Sequence, residues 1–104
     1  MDISKGDWKL FREKLPEWQE VYMERLNNEY VTLLTSNEKA SYKFWALEER
    51  IKQDRHRPGV ILEMSKSNAV LNIVRLIHDD VITIDDLNDF SNELRDRVSF
   101  LLAL

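Results

Sequence analysis

The chain has no cysteine, only two glycines (Gly6 and Gly59) and only two prolines (Pro16 and Pro58) among its 104 residues. Each shortage excludes something. Without cysteine there is no disulfide, no thiolate metal site and no cysteine nucleophile. With glycine at positions 6 and 59 alone, neither a P-loop nor a dinucleotide fingerprint can be written, and the Gly-x-Ser-x-Gly elbow of serine hydrolases is missing as well. A β-sandwich or barrel needs many turn formers, so their scarcity predicts long helices joined by short loops. Long apolar runs are lacking too. The longest, Phe100 to Leu104, falls far short of the ~20 residues that a membrane span requires. Met1 to Lys5 has neither the basic nor the apolar region of a signal peptide. The expectation is a cytoplasmic protein with no membrane contact.

What is present balances as a globular chain should, with 43% hydrophobic and 33% charged residues. The length suits one domain over 1–104, large enough for a single core that buries about two-thirds of its surface. The net charge of −4 is uneven: residues 1–66 carry 12 basic and 12 acidic side chains, whereas 67–104 carry 3 and 7. Acidic surface in the C-terminal third disfavours contact with phosphate backbones there.

The most apolar helix-length window is Asn68 to Ile77. At 100° per residue Val70, Ile73, Val74 and Ile77 fall on one side, with Ala69 and Leu76 widening the stripe. Asn72, Arg75 and Asp79 share the opposite, wet edge. This helix is expected to be the strut against which Phe44, Leu47, Ile51, Leu87, Leu94 and Val98 pack. Before it, Ser4 to Asp7 reads as a capping box opening a short helix with Trp8, Phe11 and Leu15 on one face. Pro16 is expected to stop that helix and start a second, which carries Trp18, Tyr22, Leu26, Tyr30, Leu33 and Leu34. Thr35 to Glu38 reads as another capping box, opening a helix whose stripe is Ala40, Phe44, Leu47 and Ile51, with Tyr42 and Trp45 off that arc. Pro58-Gly59 ends it.

Two stretches, 60–64 and 81–84, are β-branched enough to pair as a minor two-stranded ribbon, or to act as extended connectors that plug the core. Thr83 to Asp86 is a third capping box. The last helix carries Leu87, Phe90, Leu94, Val98 and Leu101, with a break at Phe90-Ser91 as the alternative. The fold class is therefore all-α, a single-domain bundle of about five helices.

Few constellations could carry chemistry. His56 and His78 stand alone, and no His-Glu-x-x-His pair exists. Asp79, Asp80, Asp85, Asp86 and Asp89 invite a calcium-loop reading, but Arg75 and Ile77 occupy positions that need carboxylates and the turn glycine is Asp80. The cluster instead suits a polar corner at a helix N-terminus. A helix-turn-helix formed by 68–78 and 84–94 would put Asp85, Asp86 and Asp89 into the major groove, against the charge rule. Nucleic acid would more naturally meet Arg50, Lys52, Arg55, His56, Arg57 and Lys66, although cations also suit a helix C-terminus for its dipole alone. Trp45, off its helix's arc, and the apolar end Phe100 to Leu104 are candidates for a partner surface or for self-association into a homo-oligomer.

Gly6 to Phe11, Pro16 to Gln19, Val81 to Leu87 and Phe90 to Leu94 together resemble a group of small all-helical proteins of Gram-positive bacteria, a resemblance that implies no activity, cofactor or site residue. With no catalytic, cofactor-binding or metal-binding set in view, the expected function is a protein–protein interaction or regulatory module that is not an enzyme and needs no cofactor. The alternatives are a nucleic-acid-associated accessory protein using the basic cluster 50–57, or an acidic decoy whose 79–96 carboxylates imitate phosphates before a nucleic-acid-binding partner.

Overall fold

The computed structural model describes residues 3–104. The chain forms α1 (Lys5–Leu34), α2 (Ala40–Asp54), α3 (Ala69–His78), a short 3-10 turn (Ile84–Leu87) and α4 (Asn92–Leu102). No strand occurs among the described residues, and none of their helices is long and apolar enough to cross a membrane.

The two helices expected on either side of Pro16 are one. Proline removes an N–H and crowds the carbonyl four residues back, a cost of about 3 kcal/mol in a helix interior. Both Pro16 and Arg12 are exposed, so water can satisfy that carbonyl. Interrupting the helix would also throw Phe11, Leu15, Tyr22 and Leu26, all buried, out of a common face. Burying each such side chain stabilises by about 1.5–3 kcal/mol, which outweighs the proline. Ser4 caps the start, accepting a hydrogen bond from the Asp7 N–H at 3.1 Å. Thirty residues of helix are about 45 Å long, nearly the whole 52 Å length of the molecule.

One helix does end at Leu34, as the second capping box implied, but that box does not open the next one. Thr35 Oγ1 donates to the Val31 carbonyl at 2.8 Å and Ser36 Oγ to the Leu33 carbonyl at 2.7 Å, tying both hydroxyls back onto α1. α2 then begins without a side-chain cap at Lys39 and runs back along α1, so that the two form a hairpin.

The core lies at one end of this hairpin. It gathers Ile3, Phe11 and Leu15 from the start of the chain, Ala69, Val70, Ile73, Val74 and Leu76 from α3, Ile82 and Leu87 from the turn region, and Phe90, Leu94 and Val98 from the last segment. The expected strut is therefore central, and Leu87, Leu94 and Val98 meet it as expected. Phe44, Leu47 and Ile51 do not: none belongs to this cluster, and the only buried residue of α2 is Asp54. The short loop after α1 returns α2 beside the distal half of α1, away from α3.

The ribbon is absent for a related reason. Ile84 opens the 3-10 turn behind the Thr83–Asp86 capping box, where the Thr83 N–H donates to Asp86 Oδ2 at 2.7 Å. Ile82 is buried as a plug, and Leu62 and Met64 lie half-buried against the core, the connector role foreseen for both stretches. Asn72, expected on the wet edge, is buried; its Nδ2 donates to the Glu63 carbonyl at 2.9 Å and pins that connector down. The break at Ser91 is real, since Ser91 caps α4 by accepting from the Leu94 N–H. Ser91 also donates through its own N–H and Oγ to the two carboxylate oxygens of buried Asp7, at 3.0 and 2.5 Å, which joins the starts of α1 and α4.

Candidate interaction surface of the helical hairpin

The α1–α2 hairpin has two unlike flanks. On one, α1 contributes Tyr22, Arg25 and Glu29, α2 contributes Arg50 and Asp54, and Arg57 follows from the next loop. Helical spacing explains this: Tyr22, Arg25 and Glu29 recur at three and four residues, as do Arg50, Asp54 and Arg57.

Asp54, whose side chain is 4% exposed, is the hub. It accepts from Tyr30 Oη at 2.6 Å and Arg57 Nε at 3.0 Å, with Arg50 Nη2 at 3.5 Å. Arg50 reaches on to Glu29 at 2.7 Å, and its guanidinium lies over the Tyr30 ring, 5.5 Å from the centroid. Burial alone would raise the Asp54 pKa, but the hydrogen bonds from Tyr30 and Arg57 and the nearby Arg50 charge outweigh it and hold the carboxyl below its ordinary value. Burial, and then the bond to Asp54, push the Tyr30 hydroxyl up to about 12. Burial and the Asp79 charge raise Tyr22 in the same direction.

This network joins the basic cluster to the acidic corner. Arg57 Nη1 donates to Asp79 at 2.9 Å and Tyr22 Oη to the same carboxylate at 3.3 Å, so the end of α2 is tied to the end of α3. Of the basic cluster, Arg50 and Arg57 are engaged internally, whereas Lys52, Arg55 and His56 are exposed and make no ion pair among the described residues.

The acidic residues disperse into separate tasks. Asp80 adopts a left-handed conformation, φ 58°, and its carbonyl accepts from Arg25 Nη2 at 2.6 Å. Asp85 and Asp86 sit in the first turn of the 3-10 segment, and Asp89 pairs with Lys14 at 3.5 Å on the surface. The described residues contain no group of three or more His, Asp or Glu placed to hold a metal. The hub itself escaped the sequence reading. Its only signal was one acid spaced four and three residues from Arg50 and Arg57, inside a run that reads as basic.

The other flank is apolar. Phe44 and Trp45 are each 64% exposed, their rings 4.9 Å apart and nearly perpendicular. Ile51 is exposed with half-buried Leu47 beside it, and Val31 and Leu34 of α1 are exposed as well. Nearer the core, a groove of about 270 Å³ opens between the helices, lined by Met23, Leu26, Asn27, Tyr30, Ile51 and Val60 together with the charged Asp54 and Arg55, so it borders the hub. Seven residues separate Phe44 from Ile51, which returns both to nearly the same side of α2. Trp45, singled out in the sequence for lying off the arc, is at the surface. Phe44, assigned to the core by the same arc, is there as well.

Comparison with known proteins returns no matching family model, no matching curated protein and no matching solved structure. The resemblance to small Gram-positive proteins therefore rests on the quoted residues alone.

Proposed function

We propose that this chain is a cytoplasmic protein–protein interaction or regulatory module without catalytic activity, and that it docks through the apolar flank of the α1–α2 hairpin. The observation that carries this reading is the state of α2: a helix with Phe44, Leu47 and Ile51 along one stripe buries only Asp54. Isolated surface leucines need no explanation. Adjacent exposed aromatics on a helix whose Leu47 and Ile51 share a shallow cleft with Glu48, Lys52 and Arg55 have the composition of a binding surface.

The charged flank supports a scaffolding role. Asp54 already accepts from Tyr30 and Arg57, and Arg50 and Arg57 are held by carboxylates, so the network is satisfied within the chain. It braces the hairpin against the end of α3, as a projecting arm needs. For nucleic acid, the same engagement leaves Lys52, Arg55, His56 and Lys66, a smaller footprint than the sequence offered.

Affinity capture at moderate salt, with nuclease-treated and untreated lysates and with wild-type and Phe44→Asp baits, tests the proposal. A nuclease-resistant partner lost with Phe44→Asp is expected. Nuclease-sensitive recovery, unaffected by Phe44→Asp and abolished by reversing Lys52 and Arg55, would overturn it in favour of nucleic acid.

A further inference from the structure

We infer that the occupant of the apolar flank is a second copy of this chain, docked antiparallel so that the Phe44 of each copy enters the groove of the other. This rests on the docking role proposed for the hairpin and names what docks. The geometry is self-complementary. A projecting aromatic, Phe44, and Ile51, which forms the near edge of a groove of about 270 Å³, lie on the same side of α2, about 10.5 Å apart along its axis. A two-fold axis perpendicular to α2 near Leu47 and Glu48 exchanges them. That is the condition for an isologous contact, in which residue i meets j and j meets i. The groove has the size for it, since a cavity of about 150 Å³ already accommodates a benzene ring.

The surface area agrees. With about 150–250 Å² per aromatic side chain, exposures of 64% leave roughly 200–300 Å² uncovered on Phe44 and Trp45 together. Exposed Ile51 on the same side of α2 adds to this, so the face reaches the few hundred Å² of an interaction patch. That is below the roughly 800 Å² per partner of a standard interface, as suits a weak, reversible dimer. The rim carries both signs, with Glu48 set against Lys52 and Arg55, so it does not select a partner of one charge. Two hairpins so joined form an intermolecular four-helix layer and cover the part of α2 that its own chain leaves bare. The two Glu48 carboxylates meet near the axis and oppose the contact, which keeps it reversible.

Sedimentation across concentration, combined with a single engineered thiol, tests this directly, because the chain has no cysteine of its own. The wild type should dimerise at micromolar to sub-millimolar concentration, and Phe44→Asp should weaken dimerisation at least tenfold while circular dichroism stays unchanged. Under mild oxidation Glu48→Cys should give a symmetric disulfide dimer, and a Lys9→Cys control should not. A wild-type monomer throughout that range, or Glu48→Cys cross-linking no better than Lys9→Cys, would overturn the proposal. If the dimer fails while Phe44→Asp still abolishes capture of a different, nuclease-resistant protein, only the second copy is excluded and the docking role of the hairpin stands.

Discussion

Gly59 lies against the face of Tyr22 so closely that a Cβ at position 59 would sit 2.2 Å from Cδ2 of the ring. Tyr22 is in turn buried in α1 and hydrogen-bonded to Asp79, so it has little room to give. The neighbouring Pro58 carbonyl accepts from Gln19 Nε2 at 3.1 Å, which holds the loop on the helix. Gly59→Ala should therefore destabilise by about 1–3 kcal/mol through overpacking. Denaturant unfolding measures it, and in the double mutant with Tyr22→Ala the penalty of the added methyl should largely vanish. An equal penalty in both backgrounds would show that the ring is not what the methyl meets.

The Asp54 hub makes stability depend on pH in two directions. Its folded pKa is lowered, so its contribution is fully present above the ordinary carboxylate value, about pH 4, and is lost as pH falls through the depressed folded value. Tyr30 behaves oppositely. Its hydroxyl is pushed up to about 12, so its contribution is present below its unfolded value, about pH 10, and is lost as pH rises toward 12. Asp54→Asn should flatten the acid limb of the stability profile, and Tyr30→Phe the alkaline limb. Phenolate absorbance in a variant lacking the other two tyrosines should place the Tyr30 transition above that of an unfolded control.

Pro16 sits in the middle of a 30-residue helix with its flanks already held by packing. Pro16→Ala restores a backbone donor at an exposed position. It should stabilise the fold by about 1–3 kcal/mol, seen as a higher unfolding midpoint with no loss of helical ellipticity. A destabilised variant would mean that a bend imposed by proline is needed to seat Phe11 and Tyr22 together.

Ile73 and Phe44 look equivalent as large apolar residues on helical stripes, yet one is fully buried and the other 64% exposed. Ile73→Ala should cost about 2–5 kcal/mol, and Ile73→Asp should unfold the domain. Phe44→Ala, measured on dilute protein, should change stability by no more than about 0.5 kcal/mol. A large loss at Phe44 under those conditions would return α2 to the core.

Composition and periodicity determined a good deal of this protein. The scarcity of glycine and proline implied helices, and the 68–77 window was apolar on enough of its circumference to be central. The capping residues Ser4, Thr83 and Ser91 cap through neighbours three residues away, so that role was legible from spacing, whereas the bonds from Ser91 to Asp7 were not. Local signals failed wherever a distant segment decided the outcome. Pro16 reads as a stop, and only the shared burial of Phe11, Leu15, Tyr22 and Leu26 carries the helix through it. Thr35 and Ser36 suit a helix start as well as an end, and their hydroxyls turned to the carbonyls of α1. The stripe Phe44, Leu47 and Ile51 has the pattern of a core face, but a pattern states that a face wants covering, not what covers it. The hairpin's direction left that face beyond the reach of α3, and the same turn of the chain brought Arg57 onto Asp79. Tertiary placement thus decided which aromatics are core and which charges are neutralised, because both depend on residues far apart in the chain.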